Sequence, residues 1–96
     1  MNRLAPLAAL SAAMSLLGCG PVVSGVQIVK ANIAISAAET AGARTSATAL
    51  YEYTAAVEYL KKSREEHGYS DFAASRDYAD KALEFATEAR SKAERE

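Results

Sequence analysis

The 96-residue chain contains one cysteine, one histidine, two prolines and no tryptophan. A single cysteine excludes an internal disulfide and a thiolate metal cage. The one histidine, His67, has no second His or Cys to share a metal and no nucleophile placed beside it. It falls among charges at the end of a helical pattern, where a solvated position is expected. No Gly-rich phosphate loop is present. The formal net charge is −1, without a basic stripe, so a nucleic-acid partner is not expected. The carboxylates Glu65, Glu66, Asp71, Asp77, Asp80, Glu84 and Glu88 are numerous, but paired-carboxylate chemistry needs two of them facing across a cleft. A solvated helical face accounts for them better. These absences leave no catalytic residue, no metal site and no small-molecule cofactor to expect.

What is present begins at the N-terminus. Arg3 and the free amine form a positive end, and Leu4 to Leu17 is apolar apart from Pro6, Ser11 and Ser15. This run is shorter than the roughly 20 apolar residues of a spanning helix. It has the layout of an export signal, and it closes on Leu16-Leu17-Gly18-Cys19. These four residues resemble the lipobox of bacterial lipoproteins. The resemblance implies a diacylglyceryl thioether on Cys19, cleavage between Gly18 and Cys19, and acylation of the new N-terminus. An ordinary secretory signal with a chance cysteine, or an uncleaved anchor, is the competing reading. Two or more acyl chains hold a protein stably on a bilayer without spanning it. Gly20 follows the cysteine where an aspartate would mark retention at the inner membrane in enterobacterial-type sorting. An outer-membrane location facing the periplasm is therefore implied.

Three segments are expected: a signal peptide over 1–18, a lipidated tether over 19–23 and a helical domain over 24–96. Without the signal, about 80 residues remain, which bury a thin core. Val22 to Ile35 is rich in β-branched residues and in isolation reads as a strand. The sequence offers no second strand to pair with it, however, and an isolated strand is not stable. Val22, Val26, Val29 and Ile33 recur at helical spacing, which favours a helix capped by Ser24. Ala43, Ala47, Leu50, Tyr53, Val57 and Leu60 extend a stripe onward, and Gly42 is placed to bend or loosen it. A single helix over about 24–66 is expected. His67 to Ser70 reads as a turn, with Gly68 suited to a left-handed position and Ser70 or Asp71 to the next cap. The second helix, about 71–94, carries Phe72, Ser75, Ala79, Ala82, Ala86, Ala89 and Ala93 in three-four alternation, a narrow seam of small residues. The predicted class is all-α: a long antiparallel helical hairpin whose N-terminal half overhangs its partner.

Within the hairpin, Ser70-Asp71-Phe72, Tyr78-Ala79 and Lys81-Ala82-Leu83, with Tyr59-Leu60 before the turn, resemble one unit of a tetratricopeptide repeat. The chain as a whole, over roughly 19–93, looks like an uncharacterised family of alanine-rich bacterial envelope lipoproteins. That likeness rests on the recurring alanines, Leu50-Tyr51-Glu52-Tyr53 and Gly68-Tyr69-Ser70-Asp71-Phe72. Members sometimes continue into a peptidoglycan-binding domain, and peptidoglycan binding is not expected of residues 19–96. Several of Tyr51, Tyr53, Tyr59, Tyr69 and Tyr78 should gather near the closed end of the hairpin. Core packing is the first reading for them, and a partner-binding patch is the second, since aromatic residues are enriched at interfaces. The expected function is a non-enzymatic interaction or adaptor module anchored in the envelope. The alternative is a self-associating coiled-coil spacer. The expected partners are the bilayer and either an envelope protein or a second copy.

Overall fold

The computed structural model describes residues 20–96. The lipobox residues Leu16, Leu17, Gly18 and Cys19 lie outside the described residues. The chain is all-α: helix α1 (Ala5–Thr40), a short 3-10 turn (Ala43–Thr45), helix α2 (Leu50–Gly68) and helix α3 (Phe72–Glu94). Gly20 to Val23, expected as part of a tether, are helical.

The hairpin of α2 and α3 is present. The helix ahead of it differs from expectation, because 24–66 is not one unbroken helix. The chain stops at Thr40 and restarts at Leu50. The cause is a stop signal followed by a start signal. Gly42 adopts φ +93, a left-handed conformation that costs other residues about 1–2 kcal/mol, and its N–H bonds the Glu39 carbonyl. Ser46 is extended, and its Oγ accepts from the Ala49 N–H at 3.1 Å while its carbonyl accepts from Leu50 N–H. Ser46 therefore caps the start of α2. The N-terminal helix does not overhang. It folds back, antiparallel to α2 and alongside α3, and closes a three-helix bundle. Ser24 is consequently no cap: it is fully buried inside α1.

The second turn follows the expected position with one exchange of roles. Gly68 ends α2, and the left-handed residue is Ser70, at φ 64. Asp71 is the cap of α3, its carboxylate accepting from Ala74 N–H at 3.1 Å.

The core is built from small side chains at heptad spacing. Ser24, Ala31 and Ala38 on α1, Ala49, Ala56 and Ser63 on α2, and Ser75, Ala82 and Ala89 on α3 are all fully buried. Each set steps by seven residues, so each forms a column along its helix. Around them sit Ile35, Tyr53, Leu60, Ala79, Ala86 and Ala93. The alanine seam of α3 is buried as expected. The stripe expected over 43–60 holds in part: Ala43, Tyr53 and Leu60 are buried, but Ala47, Leu50 and Val57 are exposed, while Glu52, Ala56 and Ser63 are covered. Small residues win the inner face because two neighbours must approach α2 closely, and interaxial distance is set by side-chain size.

Two substitutions should separate the turns. Gly42→Ala forces a Cβ into the left-handed region and should lower stability by about 1–2 kcal/mol. Ser70→Gly relieves the same strain, offset by backbone entropy, and should leave stability unchanged or raise it by up to about 1 kcal/mol. Urea denaturation of the purified chain measures both.

Candidate functional site

Three regions carry polar or aromatic groups in a defined arrangement. The first is a serine layer at the end of the bundle where α1 enters. Ser24 Oγ donates to Ser75 Oγ at 2.6 Å, Ser75 Oγ donates to the Ser63 carbonyl at 2.8 Å, and Ser63 Oγ donates to the Ser75 carbonyl at 2.6 Å. His67 Nδ1 lies 2.9 Å from Ser24 Oγ. Each hydroxyl has one proton to give. Ser24 spends its proton on Ser75, so it can only accept from His67, and the imidazole carries its hydrogen on Nδ1. The ring also meets Phe72 edge-on at 5.2 Å. His67 is thus half-buried and bonded across the bundle, not solvated as its sequence context suggested. A serine beside a histidine invites a catalytic reading. Here the imidazole donates to Ser24 instead of drawing its proton, and Ser24 is sealed from solvent, so the pair is a tie between helices.

The second region is the groove between α2 and α3, on the side away from α1. Tyr59 lies between two rings of α3: Phe85 at 5.6 Å with planes 8° apart, and Tyr78 at 6.1 Å with planes 25° apart. Tyr51 meets the edge of Phe85 at 6.4 Å. Lys81 Nζ sits 5.6 Å from the Tyr59 centroid. The stack exists because Tyr78 and Phe85 are seven apart on the face of α3 that looks at α2. Of the five tyrosines singled out by sequence, Tyr51, Tyr59 and Tyr78 come together. Tyr53 turns the other way, is buried, and donates from its hydroxyl toward Glu39 at 3.5 Å. Tyr69 stands alone at the turn, 83% exposed. The cluster therefore runs along the groove instead of gathering at the closed end.

The third region clasps the opposite end of the bundle. Glu96 Oε1 accepts from Ser46 Oγ and Thr48 Oγ1, both at 2.6 Å, and from Thr48 N–H at 3.3 Å. These bonds hold the Glu96 carboxyl below the usual carboxylate range. Nearby, Lys92 of α3 bonds Glu52 of α2. The ammonium lowers the Glu52 carboxyl, and the carboxylate raises Lys92 in return. Glu52 Oε2 is buried without a hydrogen-bond partner. Among the described residues, no group of three or more His, Cys, Asp or Glu is placed to share a metal ion.

The outward face of α1 is unlike the other two. Val22, Val26, Val29 and Ile33, the stripe that suggested a helix, point away from the bundle, with Val22 62% and Ile33 63% exposed. By length and composition alone, Gly20–Thr40 is apolar enough to cross a membrane. No known family, no curated protein and no solved structure matches the chain.

The serine layer responds unequally to partial and complete removal. Ser75→Ala strands the Ser24 hydroxyl and should cost about 1–3 kcal/mol. Replacing Ser24, Ser63 and Ser75 together by alanine removes donors and acceptors at once and should cost less than that single change, again read by urea denaturation. The clasp gives a pH dependence. Glu52 and Glu96 titrate below their unfolded values, so their stabilisation is complete above the ordinary glutamate value of about 4.3 and is lost as pH falls through the folded values. Thermal melts of Glu52→Gln between neutral and acid pH should show a shallower acid decline than the parent chain.

Proposed function

We propose that this chain is an envelope lipoprotein, held to a membrane through Cys19, whose helical bundle presents a binding surface to another envelope protein. The observation that carries the interaction reading is the α2–α3 groove. It keeps Tyr51 74% exposed beside a stacked set of three further rings. Rings that stack on one another and still face water offer preformed area for recognition at low entropic cost. No cleft with convergent acid and base accompanies them, so the reading is non-enzymatic.

Pro21 supports the anchor. It lies inside α1, where a proline in mid-helix costs about 3 kcal/mol. In a chain cleaved before Cys19, it falls in the first turn, where the missing N–H has no intrahelical partner to lose. Gly20 after the cysteine supports the outer membrane, with the bundle on the periplasmic side.

The self-associating spacer is the second reading. Its motive was the alanine heptads of α3, and these are buried within one chain. What supports it now is reduced to the outer face of α1.

A photo-crosslinking residue at Tyr51 tests the interaction in cells. We expect a discrete adduct with a second protein, absent when the same group replaces Glu84 on the outer side of α3. Adducts equal at both positions, or none at Tyr51, would count against the groove.

A further inference from the structure

We propose that the outward face of α1 is seated on the lipid surface, with Val22, Val26, Val29 and Ile33 in contact with acyl chains. The proposal rests on the anchor reading and specifies how the bundle lies beside its anchor. Three observations favour lipid as the occupant. The stripe begins at Val22, three residues after Cys19 in sequence, and reaches Ile33 about 16 Å further along the helix. An acylated cysteine brings that end of the helix to the bilayer without any other contact.

The stripe also fades with distance from the anchor. The next two positions on the same face are Ser36 and Thr40, both exposed. A seam for a second copy would need to continue over three or four heptads. A face wetted by lipid at one end and by water at the other has no such need.

Charge completes the case. Lys30 borders the stripe itself, beside Val26 and Val29. Lys61 and Arg64 rim the groove between α1 and α2, and Arg76 rims the groove between α1 and α3 next to Val23. The acids in the same margins are Glu65, paired with Lys62 at 3.7 Å, and Asp80, held by Gln27. An apolar strip flanked by four cations matches acyl chains bordered by anionic headgroups. The aromatic groove, on the far side of the bundle, would then face the aqueous compartment.

The test uses the full chain, purified from membranes. Acylation of Cys19 removes the one native thiol, so Val29→Cys, Thr40→Cys and Glu84→Cys each accept a single nitroxide label. All three sites are exposed. The labelled proteins are placed in vesicles of phosphatidylcholine with a minority of phosphatidylglycerol, and collision rates with oxygen and with a water-soluble nickel chelate are compared. We expect the oxygen-to-nickel ratio at position 29 to exceed that at 84 several-fold, with position 40 between them. A ratio at 29 equal to that at 84 overturns the proposal. So does shielding of position 29 from both reagents with dipolar broadening between labels, which would identify a second copy as the occupant. Mass spectrometry of the Cys19 peptide reads the anchor separately. An acylated Cys19 with a water-exposed label at 29 keeps the anchor and rejects the seated face. A free thiol rejects the anchor and the proposal together.

Discussion

The fold depends on close approach of three helices along columns of serine and alanine. Every residue of those columns is fully buried, and each column repeats at seven. Such a core has little apolar surface to bury, since a methylene-sized group contributes only about 0.8 kcal/mol. It compensates with proximity. Short side chains let the backbones draw together, and many weak dispersion contacts accumulate. The serine layer then adds direction. Hydrogen bonds link Ser24, Ser63, Ser75 and His67 from all three helices at one level, so a slip of any helix would strand a buried hydroxyl. Register is thus held by polar groups, and packing by small apolar ones.

An interior of small residues decides what lies outside. Ile35, Tyr53 and Leu60 are taken into the core, and most other large apolar side chains are displaced to the flanks. On α1 they become the valine and isoleucine face; on α2 and α3 they become the aromatic groove. In most surface helices the apolar stripe marks the core. Here α1 is apolar on two faces, small inward and β-branched outward. The inward face serves the fold, and the outward one is free for another use.

This inversion also explains what the sequence could and could not disclose. The hairpin turn, the Asp71 cap and the alanine seam of α3 were legible because they rest on local signals: a polar cap, a small-residue heptad and a change of periodicity. The break at 41–49 was written in Gly42 and Ser46, but high helix propensity around them masked a stop-and-start signal as a bend. With the break missed, Val22 to Ile33 was placed on an overhang without a partner helix; its exposure is as expected, but the packing of the opposite face was not legible. The buried positions of α1, offset to Ser24, Ala31 and Ala38, are too small to stand out in a hydropathy pattern. The aromatic groove was half legible. Tyr51, Tyr59 and Tyr78 were singled out, while Tyr53 and Tyr69 belong elsewhere. A tyrosine's position along a helix does not tell which of two neighbours it faces.

The two ends of the bundle differ in chemistry, and the difference agrees with a membrane at one of them. The end where α1 enters is tied by neutral hydroxyls that satisfy one another inside the protein. Such bonds need no water and are insensitive to a nearby low-dielectric surface. The opposite end is closed by carboxylates: Glu96 on Ser46 and Thr48, and Glu52 with Lys92. Ionised groups are costly to desolvate, and Glu52 Oε2 already lacks a partner. Placing that end against lipid would deepen the penalty, whereas the hydroxyls of the serine layer are already satisfied inside the protein. Under the proposed anchor at Cys19, the serine-layer end would lie near the bilayer and the carboxylate clasp in water. The same orientation follows from the fading of the α1 stripe toward Thr40, an observation independent of the clasp.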